Sequence, residues 1–307
     1  MKHAARLSLN AHLYEVSKVP DDLRQLILAI SQAAKYIHFA IRTTEAGLSG
    51  SKNQFGEEQV KLDVLSDDII RKHLSESRLV ASIASEEQDS IIELGSGPYS
   101  VVYDPLDGSS LTDVNLAIGS IFGIYEGAEL LGRKPREQVA ALYVIYGPRT
   151  VLVYAAKNGV HEFLLNEVGE FILLKEFLGI GDKAKTFSPG NLSAVNDSKQ
   201  YRAALDHWVK AGLTLRYSGC MAADVHHILS KGQGIFTNLG GKKYPEGKLR
   251  LLFECGPFAY LAEEAGGSSS DGDVSILDKT MKSLDERTPL IIGSSADVAE
   301  VCKMLGS

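Results

Sequence analysis

Two carboxylates and a Gly-Ser-Ser turn, Asp104-Pro105-Leu106-Asp107-Gly108-Ser109-Ser110, follow directly on the apolar run 99–103. Hard divalent cations take oxygen ligands, and a turn of this kind offers backbone N–H groups and hydroxyls to a phosphate. The spacing therefore predicts a metal-and-phosphate site at the end of a strand. Other acids sit in similar places. Glu86 and Glu87 close the apolar segment 79–84, Asp63 lies within a helical pattern, and Glu254 ends the apolar run 249–253, read as a further strand. Acids at the ends of buried segments are costly unless paired or bound to cations. Their recurrence predicts one shared polynuclear metal centre.

These acids need a scaffold of some size. The chain has 307 residues, 44% hydrophobic and 23% charged, enough for one large domain or two packed lobes. With 39 acids against 32 bases, the net charge is −7 and no Lys/Arg block is present, which argues against a nucleic-acid partner. No run of about 18 apolar residues occurs and the N-terminus lacks the apolar core of a secretion signal, so no membrane partner is expected. The expected location is the cytoplasm, with an organelle left open. Cys220, Cys255 and Cys302 are too few and too scattered for a disulfide framework or a zinc site.

Apolar residues at helical spacing after Pro20-Asp21-Asp22 predict an amphipathic helix over 23–41, and a second helical pattern surrounds Asp63. Runs at 99–103, 118–125, 139–146, 150–156 and 161–165 predict an antiparallel or mixed sheet, with Gly147-Pro148-Arg149 as a hairpin turn. Beyond Asp182 the pattern alternates: helix 199–211, strand 213–217, helix 222–231, strands at 235–236 and 249–253, then a strand and helix at the C-terminus. The expected fold is α/β (α+β) with two packed lobes. The expected domains are 1–186, carrying the metal site, and 187–307, binding substrate. His226-His227 diverge by about 100° on a helix and are not expected to share a ligand.

Three segments carry a resemblance: Ser85-Glu86-Glu87, Asp104 to Ser110, and Gly247-Lys248-Leu249-Arg250-Leu251-Leu252-Phe253-Glu254. The chain resembles the fructose-1,6-bisphosphatase family of sugar bisphosphatases from about residue 23 to 305, and the resemblance implies that family's layered αβαβα arrangement. Within the family it is more similar to the sedoheptulose-1,7-bisphosphatases, through Phe187-Ser188-Pro189-Gly190-Asn191-Leu192, Thr214-Leu215-Arg216-Tyr217 and Gly234-Ile235-Phe236-Thr237-Asn238. Where fructose enzymes carry tyrosines that hold the distal phosphate, this chain has its Ser-Pro-Gly-Asn segment and Asn238. The cysteine pair of the plant chloroplast form is missing from 43–53.

The resemblance implies Mg²⁺-dependent hydrolysis of a sugar 1-phosphate, with two or three ions per site and Mn²⁺ possible. It implies that Glu57, Glu86, Asp104, Asp107, Glu254 and the carbonyl of Leu106 are metal ligands, and that Asp63 and Glu87 handle the attacking water. Gly108, Ser109 and Ser110 would receive the 1-phosphate. Asn191, Arg216, Tyr217 and Lys248 would hold the second phosphate, with Met221 and Asn238 shaping the sugar pocket. Arg216 would reach across a subunit interface, making the protein a homodimer or homotetramer. The expected substrate is sedoheptulose 1,7-bisphosphate. The alternatives are a fructose-1,6-bisphosphatase, a dual enzyme, or a catalytically silent phosphosugar-binding protein.

Overall fold

The computed structural model describes residues 7–44, 48–52 and 58–306. The helices are α1 (Leu9–Glu15), α2 (Asp21–Thr43), α3 (Lys61–Ser77), α4 (Lys199–Lys210), α5 (Met221–Lys231), α6 (Gly256–Glu264) and α7 (Ser295–Leu305). The strands are β1 (Leu48–Lys52), β2 (Glu58–Val60), β3 (Val80–Ser85), β4 (Ile92–Glu93), β5 (Tyr99–Asp107), β6 (Ile118–Glu126), β7 (Gln138–Tyr146), β8 (Thr150–Ala155), β9 (Val160–Leu165), β10 (Phe171–Lys175), β11 (Thr186–Gly190), β12 (Thr214–Leu215), β13 (Ile235–Asn238), β14 (Ser268–Ser270) and β15 (Leu290–Gly293).

Eight strands form one sheet in the order β10-β9-β8-β7-β6-β5-β3-β4, and five form a second in the order β12-β11-β13-β15-β14. The first is mixed, because β3 and β5 run parallel while their neighbours are antiparallel. Its strands are buried on both faces, and the period of two decides which helices each residue meets. Along β7, Leu142 and Val144 join the core shared with α2 and α3, while Ala141, Tyr143 and Ile145 join the core shared with α5 and α6. The second sheet repeats the pattern. Phe236 and Ile292 face α5 and α6, whereas Ile235 and Ile291 face Tyr201 and Trp208 of α4 and Val298 of α7. The layers are thus αβαβα, and α5 and α6 are packed between two sheets.

Two sequence expectations change. The run 249–253 is no strand: Leu251–Cys255 form a π-helical turn that continues into α6. A short apolar run buried on all sides carries no periodicity that separates strand from helix, and here Leu251, Leu252 and Phe253 are all buried. The expected strand 213–217 shrinks to the two residues of β12. The strands β10 and β14 and the helix α1 carry no counterpart in the sequence reading; β14 is three serines, with no apolar alternation to reveal it.

Candidate active site

Parallel strands end at the same edge, and that is how the acids gather. Ser85 of β3 pairs with Tyr103 of β5, so the residues that follow, Glu86-Glu87 and Asp104, emerge side by side. The Glu86 N–H donates to the Tyr103 carbonyl at 3.1 Å. The register of β5 against β6 slips between Asp104 and Asp107. Such a bulge re-aims side chains, and here it lets two acids three residues apart turn to one place. The Ser120 hydroxyl donates to the Pro105 carbonyl at 2.7 Å and secures the irregularity.

One carboxylate oxygen from each of Asp104, Asp107 and Glu254 lies within 4.8 Å of the others. Each acid is held by a backbone N–H: Leu106 to Asp104 at 2.9 Å, Ala222 to Asp107 at 2.6 Å, and Arg250 to Glu254 at 2.6 Å. Burial raises the Asp104 carboxyl well above its ordinary value, and the charges of Asp107, Glu254 and Asp63 raise it further. Burial also raises Asp107, against the opposing pull of the Ala222 N–H and the Cys220 thiol. Glu254 is pushed up to about 7, by burial first and then by Asp107. Three crowded acids that resist ionisation are a site short of positive charge, and their hard oxygen donors suit Mg²⁺ or Mn²⁺.

Glu86 stands beside this cluster, paired to the buried guanidinium of Arg250. Asp63 is buried in the first turn of α3, where the helix dipole favours a carboxylate, and it is close enough to Asp104 to raise it. Glu87 is partly exposed, and its N–H donates to the Ser85 hydroxyl at 3.3 Å. Leu106 is buried within the bulge. Glu57 lies outside the described residues.

Gly108 has φ of +78°, and a Cβ there would stand 2.7 Å from the Cβ of Cys220, so both backbone and packing demand glycine. Its turn opens the 3₁₀ segment Ser109–Val114, which leaves Ser109 partly exposed and Ser110 exposed next to the acids. Met221 is buried as the first residue of α5. Arg216 and Lys248 are exposed, as is Tyr217 at 51%. The Arg216 guanidinium donates to the Leu215 carbonyl at 2.8 Å, and the Lys248 ammonium sits 5.0 Å from the centre of the Tyr244 ring.

Asn191 and Asn238 are both buried, and both spend amide atoms on the backbone. Asn191, in the left-handed region at φ 47°, donates to the Leu239 carbonyl at 2.6 Å. Asn238 accepts the Lys248 N–H at 3.1 Å. They brace the wall from which Lys248 projects.

Four participants were missed in the sequence. Arg250 was read only as part of a strand and of the segment that carries the resemblance, with no role of its own, yet it pairs with Glu86 and caps Glu254. Asp67 is buried and accepts from the Tyr103 hydroxyl at 2.8 Å and from Gln88 at 2.5 Å, tying α3 to β5 and to the turn after β3. Cys220 donates from its thiol to Asp107 at 3.2 Å, and Asp224 accepts the Ser218 N–H at 2.8 Å. A heptad step from Asp63 through Asp67 to Ile70 marks the buried face of α3 and was the one signal available for Asp67.

Comparison with known proteins agrees with this geometry. Residues 5–176 match the family model described as "Fructose-1-6-bisphosphatase, N-terminal domain", and residues 180–306 match its C-terminal counterpart. The chain is 46% identical to the class 1 fructose-1,6-bisphosphatase of Geobacter sulfurreducens, covering 98% of this chain and 96% of the relative. It is 42% identical to the chloroplastic sedoheptulose-1,7-bisphosphatase of Triticum aestivum, covering 91% of this chain and 72% of that one. The holo crystal structure of Leishmania major fructose-1,6-bisphosphatase superposes with a TM-score of 0.90 at 30% identity, covering 98% of this chain and 99% of that chain.

Proposed function

The chain belongs to the fructose-1,6-bisphosphatase family of sugar bisphosphatases, and we propose that it hydrolyses the 1-phosphate of fructose 1,6-bisphosphate, giving fructose 6-phosphate and inorganic phosphate. The observation that carries the reading is the cluster of Asp104, Asp107 and Glu254, three acids held by backbone N–H groups beside a Gly-Ser-Ser turn. Fructose bisphosphate takes precedence over the seven-carbon sugar for two reasons. The class 1 fructose enzymes are the more similar relatives. In addition, the amides of Asn191 and Asn238, whose presence suggested the longer sugar, are engaged with the backbone.

Two or three Mg²⁺, or Mn²⁺, held by Glu86, Asp104, Asp107, Glu254 and the Leu106 carbonyl would supply an acidified water and neutralise charge on the phosphoryl group. Glu57 would add a further carboxylate. The Gly108 N–H and the hydroxyls of Ser109 and Ser110 orient the 1-phosphate. Asp63 and Glu87 take the proton of the attacking water, whose oxygen bonds to phosphorus as the bond from phosphorus to the C1 oxygen breaks. The C1 oxygen leaves as an alkoxide and takes up a proton from solvent, giving the free hydroxyl. Arg216, Tyr217 and Lys248 bind the 6-phosphate, Met221 floors the sugar pocket, and Asn191 and Asn238 fix its wall. The Arg216 guanidinium, exposed and donating to the Leu215 carbonyl, would also serve a second copy of the chain, as in a homodimer or homotetramer.

The test is Mg²⁺-dependent phosphate release from fructose 1,6-bisphosphate and sedoheptulose 1,7-bisphosphate side by side. A higher kcat/KM for fructose 1,6-bisphosphate is expected. Preference for the seven-carbon sugar, which the wheat relative's name favours, would replace the substrate and keep the chemistry. Release from neither would overturn the reading.

A further inference from the structure

A groove of about 560 Å³ opens on another face of α5, between that helix, the β7–β8 turn and the strands β9 and β10. Its charged lining is Arg149, Lys175, Lys231 and Glu162, with the two imidazoles His226 and His227. Three cations against one acid leave a formal surplus of two positive charges, in a protein whose own net charge is −7. Glu162 does not cancel that surplus. It is buried, lies 3.6 Å from Lys175, and is reached by the Ser230 hydroxyl at 3.5 Å and by His226 at 3.9 Å. Lys175 also donates to the Ser230 carbonyl at 3.1 Å, so it is committed to the groove floor.

Arg149 and Lys231 remain. Among the described residues neither has a hydrogen-bond or ion-pair partner, and the Nδ1 atom of His227 is buried without one. The uncancelled charge is felt locally. Burial, followed by the charges of Lys175, His227 and Arg149, pushes His226 down to about 4, and burial, Arg216 and Lys231 lower His227. Ala117, Ile145 and Pro148 supply an apolar wall beside the cations. A concave site of this volume with a few converging polar groups is the usual form of a small-molecule site.

We propose that this groove binds a phosphate ester, its phosphate between Arg149 and Lys231 and its body against the wall at Ile145 and Pro148. Guanidinium and ammonium groups without partners match a compact dianion. The site is separate from the acid cluster but shares α5 with it. The first turn of that helix gives its Ala222 N–H to Asp107, and its last two turns carry His226, His227 and Lys231.

The experiment is a ³¹P NMR titration of the metal-free full chain with inorganic phosphate. Wild-type protein is expected to bind three phosphates: one at the Ser109-Ser110 turn, one at Arg216, Tyr217 and Lys248, and one in the groove. R149A/K231A retains two and binds the third at least about tenfold more weakly, because charge-assisted hydrogen bonds are lost. S109A/S110A loses a different one, which separates the groove from the phosphate turn, and the charge-preserving R149K/K231R keeps all three. Binding in R149A/K231A indistinguishable from wild type, or a single wild-type phosphate that vanishes in S109A/S110A, would overturn the proposal.

Discussion

Asp104, Asp107 and Glu254 are each fixed by a backbone N–H and crowded within 4.8 Å, whereas Arg216, Tyr217 and Lys248, proposed above to bind the far phosphate, stand in solvent with few ties. The acids hold a geometry that is unfavourable by itself and becomes favourable when positive charge arrives. The exposed cations and the phenol can adjust to the ligand. Under the proposed function, chemistry falls to the rigid side, and affinity and substrate choice to the adaptable side.

The sharpest way to break this contrast is at the rigid side. Asp107→Asn keeps the shape but removes a charge, and kcat should fall at least about 100-fold, with weaker Mg²⁺ binding by calorimetry. A rise in KM alone, with kcat unchanged, would show that Asp107 serves substrate binding instead.

Next in size is a pH effect on the metal-free protein. The folded state holds Glu254 protonated up to about 7, while the unfolded chain releases that proton near 4.5. Stability fully present below about 4.5 is therefore lost as pH rises through about 7. Thermal scans without metal should show a falling Tm over that window, and Mg²⁺ should raise Tm more at pH 8 than at pH 5. Equal increments at both would separate the cation from these carboxylates.

On the adaptable side, Arg216→Ala should raise KM by about tenfold, as for one charge-assisted hydrogen bond, with kcat nearly unchanged. A collapse of kcat would make Arg216 part of the rigid machinery. The smallest effect is expected at the support beneath the acids: Tyr103→Phe removes one of two hydrogen bonds to buried Asp67 and should cost about 1 kcal/mol in urea unfolding.

The same contrast explains what was readable in the sequence. Asp104 to Ser110 declare themselves because strand, acids and turn are contiguous, and the alternation of β6 to β9 carries the first sheet. Glu254 was read as one of the gathered acids and does lie with Asp104 and Asp107, but its segment is a π-helical turn and not a strand, since the apolar run before it lacks a period. Arg250 and Cys220 were invisible as participants, because their partners Glu86 and Asp107 are 164 and 113 residues away. A pairing over such a distance leaves no local pattern. The jobs of Asn191 and Asn238 depend on backbone atoms across a loop, and residue type alone does not show that.

The π-helical turn at Leu251–Cys255 has a consequence for how this chain tolerates change. Such a turn is a helix carrying one surplus residue. Deleting a residue at its C-terminal end, 255 or 256, would let the segment relax into ordinary α-helix and swing Glu254 by about 100° relative to α6. The apolar packing of α6 could survive that event while the acid cluster did not. A lineage could therefore keep this fold and lose its chemistry through a single-codon deletion, with every acidic residue still in the sequence.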